Sequence, residues 1–374
     1  MQQAEEFQIY SLPDCIPHAV KGIIFLWNGF HALLLPKGRQ LMTINEIARM
    51  AGVSRTTVSR YLNDGYVSRE KADRIRSVIE STGYQPSRQA QMLRTKRTNL
   101  IGVILPKLNS DSISREIDGI TTVLAKAGYE VLLANTNNQE QEEIKYLKLF
   151  AANGSVDAVI LIGTIWTKEH DDILREYPLP VVVLGQHCST CSCVYFDDYK
   201  AAKQQAEILA RTGKRIGYIG VTELDEAAGH NRKAGFLDAM SEAGIAVPPE
   251  AMVVTGFRIQ SGYEAAEELL SRYPDPDSIF CATDSIAVGA MVCLRERGYR
   301  IPEDIQITGI GDSEKGQVVT PRLSTVHYYY KTSGKETARL LLGLLSGSKQ
   351  NNRAVRMGCK LTSGESIRLP NTDC

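Results

Sequence analysis

The stretch "INEIARMAGVSRTTVSRYLND" occupies residues 44–64 and sorts its side chains by helical spacing. Residues three or four positions apart lie on the same face of a helix. One such face is polar and partly cationic, and it carries Arg55, Thr56, Ser59 and Arg60. Val58 and Leu62 lie on the opposite face. The pattern predicts a short helix that packs by its apolar side and offers hydrogen-bond donors on the other.

The residues on either side of this helix predict two further helices around the same small core. Thr43 and Glu46 form a capping box at the start of the first helix. Gly52 allows a tight turn, and Ser54 caps the polar helix that follows. The expected helices cover residues 44–50, 55–62 and 68–82. This is a helix-turn-helix unit whose second helix fits the DNA major groove, and a helical hairpin used for protein docking is the alternative.

The segment "YQPSRQAQMLRTKRTN" at residues 84–99 is basic. Pro86 suits the start of a short helix, and four cations surround the apolar pair Met92 and Leu93. A leucine exposed on a basic helix is explained if it enters a base step in the minor groove while arginines reach phosphates. An ordinary interdomain linker is the other interpretation.

Composition bounds the class of protein. A chain of 374 residues favours two or three folding units, and 43% hydrophobic residues is ordinary for a soluble protein. Eight cysteines are too sparse for a disulfide scaffold, so a reducing cytoplasm is expected, with no membrane span. Residues 42–99 hold 11 lysines and arginines against 5 acids, a net charge of +6 that the acidic remainder balances. A basic head that binds a polyanion is one explanation, and a solvated charged surface is the other.

Residues 1–41 are expected to be a translated leader, because Met42 stands directly before the capping box and is the simpler start. A membrane anchor is the minority alternative. The predicted domains are a leader (1–41), a helix-turn-helix head (42–86), a hinge helix or linker (87–99) and a large body (100–374).

The body alternates apolar runs with amphipathic helical patterns. The runs are expected to be strands at residues 100–105, 129–135, 157–163, 180–185, 215–221, 277–283 and 304–310. Continuous apolar strands separated by helices indicate parallel sheets covered on both faces. The fold class is therefore a small all-α head plus an α/β body of two doubly wound lobes, with a ligand beyond the carboxyl ends of the strands.

Residues 42–97 resemble the head and hinge of the LacI/GalR family of transcription regulators. The resemblance rests on "TINEIARMAGVSRTTVSRYLN", the Val67-Ser68 helix start, "YQPSRQAQMLR", and the boundary "LIGVILP" at residues 100–106. It continues over essentially all the remaining chain. It implies a body similar to periplasmic sugar-binding proteins, with crossings between lobes near residues 195 and 324.

The family resemblance implies a homodimer on double-stranded operator DNA, with no membrane association. Arg55, Thr56 and Arg60 are expected to contact base edges, and Leu93 is the expected hinge wedge. The full expected DNA-binding set is Thr43, Ser54, Arg55, Thr56, Thr57, Ser59, Arg60, Asn63, Arg88, Ala90 and Leu93. No leucine-heptad tail follows Leu369, which favours a dimer over a tail-built tetramer.

Three residues after strand ends have ligand chemistry. Asp284 could accept hydroxyl hydrogen bonds, Arg232 could donate a planar fork, and Phe257 could stack on a sugar ring. Each has a structural alternative, such as Asp284 capping the helix that follows, but all three match effector-contacting positions of the family. They predict a small sugar effector.

The other lobe contributes Lys107, Asn109, Ser110 and Asp111 from one loop, and the second lobe adds Tyr328 after the crossing. Lys107 stands where the similar trehalose-repressor branch uses a basic residue for a sugar phosphate. Gln186 departs from that branch, where a second basic residue stands, so a neutral disaccharide such as sucrose or trehalose remains an equal alternative.

The motif "HCSTCSC" places His187, Cys188, Cys191 and Cys193 in one loop beside the cleft. Four soft ligands could bind zinc or copper, or the thiols could form a disulfide, but the tight spacing disfavours one tetrahedral site. Solvent-facing loop thiols, with no metal, are expected.

Signatures of catalysis are missing from the sequence. "GIGDSEKG" at residues 309–316 lacks the third glycine of a dinucleotide fingerprint, and "TSGKET" has Glu336 where a P-loop needs Ser or Thr. No cofactor and no catalytic residue is therefore predicted. The preferred function is a DNA-binding regulator that represses a carbohydrate operon. A sugar-binding or transport protein and a DNA-binding enzyme are the alternatives.

Overall fold

The head is a bundle of three short helices. A computed structural model describes residues 23–26 (backbone only), 42–63, 65–84, 97–347 and 351–368. The head helices are α1 (Ile44–Met50), α2 (Arg55–Tyr61) and α3 (Arg69–Thr82). Ile47, Val58 and Ile75 are fully buried between them. One residue from each helix thus forms the centre of the small core.

The ends of these helices follow the capping chemistry that the sequence predicts. The backbone N–H of Thr43 donates to Glu46 Oε2 at 2.6 Å, and the Ser54 hydroxyl accepts from the Thr57 N–H at 3.2 Å. Gly52 turns the chain with φ +64° and Gly83 ends α3 with φ +63°, the left-handed region that glycine tolerates. The helix-turn-helix geometry is therefore set locally.

The first lobe of the body is a seven-stranded parallel sheet with helices on both faces. Its strands are β1 (Ile23–Leu26), β2 (Leu100–Leu105), β3 (Glu130–Asn135), β4 (Ala158–Ile162), β5 (Val181–Leu184), β6 (Ser192–Phe196) and β12 (Ala354–Met357). Its helices are α4 (Asp111–Lys126), α5 (Glu140–Asn153), α6 (Lys168–Arg175) and α12 (Tyr330–Leu345). The strand order is β1-β3-β2-β4-β5-β6-β12.

Strand β1 comes from the segment that sequence analysis set aside as a leader. Its four residues pair in parallel with β3, with Ile23 opposite Val131 and Leu26 opposite Ala134. These residues take part in the sheet, whereas the leader assignment itself stays a prediction.

The second lobe is a smaller parallel sheet, also with helices on both faces. Its strands are β7 (Ile216–Gly220), β8 (Met252–Val254), β9 (Ser278–Cys281) and β10 (Gln306–Thr308), in the order β10-β9-β7-β8. Its helices are α7 (Asp198–Ala210), α8 (Arg232–Glu242), α9 (Ile259–Arg272), α10 (Asp284–Glu296) and α11 (Glu314–Val318). A π-helical turn at Glu226–Asn231 precedes α8, and a 3-10 turn at Pro249–Ala251 precedes β8.

The chain crosses between the lobes three times within the described residues. The first crossing follows β6, near the predicted residue 195. The second follows β11 (Thr325–Tyr328), a few residues beyond the predicted 324. The third, at Gly358 between β12 and β13 (Cys359–Thr362), was not foreseen. Because β11 and β13 pair antiparallel, the second and third crossings are joined by hydrogen bonds.

Helices α4 and α12 approach closely in the first lobe through two glycines. A Cβ at Gly119 would collide with the backbone oxygen of Lys331, and a Cβ at Gly334 would collide with the backbone oxygen of Glu116. Each glycine therefore allows the opposite backbone to come near. This contact fixes α12, which arrives from the second crossing, against the first lobe.

Candidate functional site

Helix α2 presents the predicted polar face to solvent. Arg55, Thr56 and Arg60 are exposed, whereas Val58 on the opposite side is fully buried. Thr57 and Ser59 are half-buried at the margins. The helix thus offers two guanidinium groups and a hydroxyl without disturbing its core contacts, as the sequence pattern predicts.

Other predicted DNA contacts have structural roles as well. Thr43 and Ser54 are exposed but also cap α1 and α2, and the Asn63 amide donates to the Ser59 carbonyl oxygen. Tyr66, overlooked in the sequence, is 91% exposed in the loop after α2. Three predicted hinge contacts lie outside the described residues: Arg88, Ala90 and Leu93.

A cavity of about 180 Å³ lies between the two lobes. Its walls come from segments that follow β2, β4 and β5 in the first lobe, and β7, β8, β9 and β10 in the second. The carboxyl ends of both parallel sheets therefore face one another across this space. The expectation of a ligand site beyond the strand ends agrees with this geometry.

Asp284 lies in the wall of the second lobe with both carboxylate oxygens engaged. Oδ2 accepts from the Ser313 N–H at 2.6 Å, and Oδ1 accepts from the Thr325 hydroxyl at 2.5 Å. Burial raises the pKa of Asp284 to about 6 despite these hydrogen bonds. The alternative role as a helix cap is wrong, since α10 begins at Asp284 itself and Thr283 caps it through the Ile286 N–H.

Arg232 is buried, and its guanidinium group binds other residues of the chain. Its Nε and Nη2 both contact Asp198 Oδ1 at 2.7 Å, and its Nη1 donates to the Ala282 carbonyl oxygen at 2.6 Å. Tyr328 donates its hydroxyl to the same Asp198 oxygen at 2.9 Å and stacks on Phe196. Burial opposes the charge of Arg232, but Asp198 together with Tyr328 and Tyr330 outweighs it and keeps the arginine pKa above its ordinary value.

The cavity is closed partly by contacts between the lobes. Lys107 Nζ lies 4.8 Å from the centre of the Phe257 ring, and burial lowers the pKa of this lysine. Arg115, on α4, donates to the carbonyl oxygens of Gly311 and Asp312 at 2.9 and 3.2 Å. These contacts join the two walls directly, and Arg115 was not among the predicted residues.

Gln186 and Asp225 form a further bridge beside the cavity. The Gln186 amide donates to the Thr164 carbonyl oxygen at 2.9 Å and to Asp225 Oδ1 at 3.2 Å. Asp225 also accepts from the Ala228 N–H at 2.9 Å, and burial raises its pKa. The neutral side chain of Gln186 therefore bonds both lobes without adding charge.

Glu116 is a buried acid in the cavity wall that the sequence analysis missed. It is 3% exposed, and its Oε2 has no hydrogen-bond partner among the described residues. Burial raises its pKa to about 8, with Arg115 only partly opposing the shift. The spacing of Ile113, Glu116 and Ile120 could have revealed it, because three- and four-residue steps place Glu116 on the apolar stripe of α4.

The structure brings most of the predicted effector residues together. Those in the cavity wall are Lys107, Ser110, Asp111, Gln186, Arg232, Phe257, Asp284 and Tyr328. Asn109 is exposed and does not belong to the wall. The wall also contains Arg115, Glu116, Asp198, Asp225 and Tyr330, which the sequence did not predict.

The expectation of solvent-facing thiols in "HCSTCSC" is wrong. Cys188, Cys191 and Cys193 are 5%, 6% and 0% exposed and belong to the core of the first lobe, with Cys193 on strand β6. His187 alone of the four faces solvent, with its ring edge-on to Tyr195. In the described residues, no cluster of three or more His, Cys, Asp or Glu is arranged to hold a metal ion.

Comparison with known proteins agrees with this two-part architecture. Residues 43–87 match the family model for bacterial regulatory proteins of the lacI family, and residues 206–367 match a periplasmic binding protein-like domain. The chain is 35% identical over 295 residues to the sucrose operon repressor of Staphylococcus xylosus, covering 79% of this chain and 91% of that protein. The chain belongs to the LacI family. It is a DNA-binding transcription regulator.

Solved structures of LacI-family regulators resemble this one over most of the chain. A transcriptional regulator CelR–cellobiose complex aligns with a TM-score of 0.67 and 26% identity, covering 87% of this chain and 99% of that one. The lac repressor dimer bound to operator and an anti-inducer aligns with a TM-score of 0.79 over 87% of this chain and 98% of that one. At 22% identity, the latter establishes the shared fold alone. No described helix of this LacI-family chain has the length and apolarity to cross a bilayer.

Proposed function

We propose that this LacI-family chain is a homodimeric repressor of a carbohydrate-use operon, released from or fixed on its operator by a small sugar between the lobes. The observation that carries the proposal is the cavity itself. It lies where two parallel sheets present their carboxyl ends, and it combines aromatic walls with buried hydrogen-bonding groups. Such a mixture suits a molecule with apolar C–H faces and polar hydroxyl edges.

The charge of the cavity wall favours a neutral sugar over a sugar phosphate. Arg232 is matched by Asp198, and Arg115 is committed to two carbonyl oxygens. Of the wall cations, Lys107 is the one whose ammonium group lies near the cavity without such a commitment. The wall also holds five acidic side chains: Asp111, Glu116, Asp198, Asp225 and Asp284. Glu116 is held as the neutral acid and Asp198 is paired with Arg232, so a dianionic phosphate would face chiefly Asp111, Asp225 and Asp284, whereas hydroxyl groups could donate to these carboxylates.

The DNA side of the proposal rests on α2. One α2 helix from each protomer enters the major groove of a half-site, with Arg55 and Arg60 on base edges and Thr56 beside them. An arginine that forms a bidentate pair with guanine contributes roughly 1–3 kcal/mol of discrimination. Arg88, Ala90 and Leu93 are proposed to reach the minor groove between the half-sites.

One carboxylate of the first lobe binds the residues at the end of the linker. Asp157, just before β4, accepts from the Thr98 N–H at 2.7 Å, the Thr98 hydroxyl at 2.9 Å and the Asn99 N–H at 3.0 Å. The last residues of the linker are therefore fixed to the first lobe. Any rotation of that lobe against the second moves the point from which the head departs, which is how sugar binding would change the spacing of two heads.

The proposal is tested by thermal unfolding in the presence of neutral disaccharides, monosaccharides and sugar phosphates. A sugar present at 100 times its Kd should stabilise the protein by roughly 2.7 kcal/mol. Phe257→Ala should remove that shift because it deletes an aromatic wall. Leu108→Ala is the matched control, since Leu108 is exposed next to Lys107 but lies outside the cavity wall.

Operator binding is measured on the same protein by fluorescence anisotropy with and without the stabilising sugar. The proposal requires that this sugar change the Kd for one duplex at constant salt. A sugar that stabilises the protein but leaves duplex binding unchanged would favour the alternative of a sugar-binding or transport protein. The loss of the shift in Leu108→Ala, or its survival in Phe257→Ala, would place the sugar elsewhere.

A further inference from the structure

Three thiols lie under the surface of the first lobe, two in the loop between β5 and β6 (Cys188 and Cys191) and one on β6 (Cys193). The Sγ atoms of Cys188 and Cys191 lie 3.1 Å apart, and the two residues are 5% and 6% exposed. The intervening Ser189 is exposed, and Thr190 directs its hydroxyl to Cys188 Sγ at 3.1 Å. The two sulfur atoms are thus in contact just under the surface of the first lobe.

The geometry selects Cys191 over Cys193 as the partner of Cys188. Cys193 Sγ lies against the Cys188 backbone, 3.3 Å from its nitrogen and 3.5 Å from its carbonyl oxygen. Cys191 Sγ instead faces Cys188 Sγ, and a disulfide needs these atoms to approach to about 2.05 Å. A movement of about 1 Å suffices, and C-x-x-C is a spacing at which proteins form reactive disulfides.

The surroundings also distinguish Cys188 from the other thiols. The hydrogen bond from Cys191 lowers the pKa of Cys188 to about 6, and the bond from Thr190 adds to this effect. The same interaction and burial raise the pKa of Cys191. Burial also raises the pKa of Cys281 and of Cys293 in the second lobe. Cys188 is therefore the expected nucleophile of the group, because the thiolate is the reactive form.

We propose that Cys188 and Cys191 are an oxidisable dithiol that closes to an intramolecular disulfide when a hydroperoxide reaches the loop. The Cys188 thiolate attacks the peroxide, so an S–O bond forms, the O–O bond breaks, and hydroxide leaves and takes up a proton. Cys191 sulfur then attacks Cys188 sulfur, so the S–S bond forms and the S–O bond breaks with loss of water. Two thiols are oxidised by two electrons and one hydrogen peroxide is reduced to two waters.

The dithiol is close in sequence to a residue of the cavity wall. Gln186, two residues before Cys188, bonds both lobes beside that cavity, and Gly185 with φ +94° turns the chain between β5 and Gln186. The disulfide would therefore constrain the segment that carries Gln186. The dithiol itself does not depend on which ligand occupies the cavity.

The test is peptide mapping of the full-length protein after treatment with hydrogen peroxide, followed by unfolding and alkylation of the remaining thiols. Trypsin releases all three cysteines in one peptide, residues 176–200, between Arg175 and Lys200. The expected peptide has lost two hydrogens and carries a single alkyl group, on Cys193. Cys281 and Cys293 should remain alkylated in the same sample and serve as internal controls.

Two variants test the pairing, and their melting curves confirm that each is folded. Cys193→Ser should retain the disulfide, whereas Cys191→Ser should prevent it. A wild-type peptide alkylated at all three cysteines would overturn the proposal, as would a Cys188–Cys193 disulfide. Oxidation of Cys281 or Cys293 at the same rate as Cys188 would show that the dithiol has no special reactivity, and would overturn it equally.

Discussion

Replacing Glu116 with glutamine should stabilise the protein near neutral pH. Glu116 lies on α4 with 3% exposure, and its Oε2 finds no partner among the described residues. Burial disfavours the carboxylate, so the folded protein holds this group as the neutral acid. Glutamine has nearly the same shape and is neutral at every pH. In Glu116→Gln, folding therefore no longer requires a carboxylate to take up a proton, and no cavity is opened.

The magnitude follows from the two pKa values. The ordinary value of 4.5 applies to the unfolded chain, and about 8 applies to the folded protein. Between them the folded state keeps a proton that the unfolded state releases, so stability falls by about 1.4 kcal/mol per pH unit as pH rises. The stability that the proton on Glu116 contributes is fully present below the pKa of the unfolded chain. It is lost as the pH rises through the pKa of the folded protein. At neutral pH, Glu116→Gln should be more stable than wild type by about 3 kcal/mol.

The assay is guanidinium unfolding followed by tryptophan fluorescence, to which Trp166 of the same lobe contributes, at acidic and neutral pH. The difference between variant and wild type should be near zero at pH 4.5 and grow steadily towards pH 7. Glu176→Gln is the control, because Glu176 is exposed on the same lobe and should change stability little at either pH. A pH-independent difference for Glu116→Gln would refute the assignment of a buried neutral acid.

Three further changes test the head, the end of the linker and the packing. Arg60→Ala should weaken operator binding by roughly 1–3 kcal/mol in an anisotropy titration while leaving sugar-induced melting shifts intact. Asp157→Ala should release the linker and reduce the effect of sugar on operator affinity by at least several-fold, with calorimetric sugar binding unchanged. Gly119→Ala should lower the free energy of unfolding in guanidinium by roughly 1–3 kcal/mol, because the added methyl group meets the Lys331 backbone. Ala125→Gly, at the exposed end of α4, is the contrasting change and should lower the same free energy by about 1 kcal/mol.

The elements that the sequence predicts well are those whose pattern is local. The run "LIGVIL" becomes β2 with the predicted bounds, and α1 occupies residues 44–50 as the capping box indicates. Several of the missed strands are short or lie on sheet edges, whereas β6 was missed although it lies inside the first sheet between β5 and β12. Strand β8 has three residues, and β12 alternates exposed and half-buried side chains. Such segments become strands because a neighbouring strand pairs with them, and that neighbour is distant in sequence.

The site shows the same division. The rule that ligands bind at strand ends and the family resemblance together placed Phe257 and Asp284 in the predicted site, and both residues line the cavity. The partner of Arg232 was missed because Asp198 lies 34 positions earlier and reaches it only after the first crossing. The thiol motif failed for a related reason, since its burial follows from β6 pairing with β5 and β12. The sequence shows which residues carry suitable side chains. It does not show which of these side chains are already bound to other residues of the folded chain.

The hydrogen bonds between the lobes are strong enough to favour one lobe arrangement and weak enough for a bound sugar to reverse that preference. Arg115 makes two hydrogen bonds to carbonyl oxygens across the cleft, and Gln186 makes one to Asp225. At roughly 2 kcal/mol for each hydrogen bond that involves a charged group, the three bonds total about 6 kcal/mol. Moving a two-state equilibrium from 1:99 to 99:1 requires roughly 5.5 kcal/mol. A sugar that strengthens or breaks these few bonds can therefore supply most of the free energy that separates two lobe arrangements.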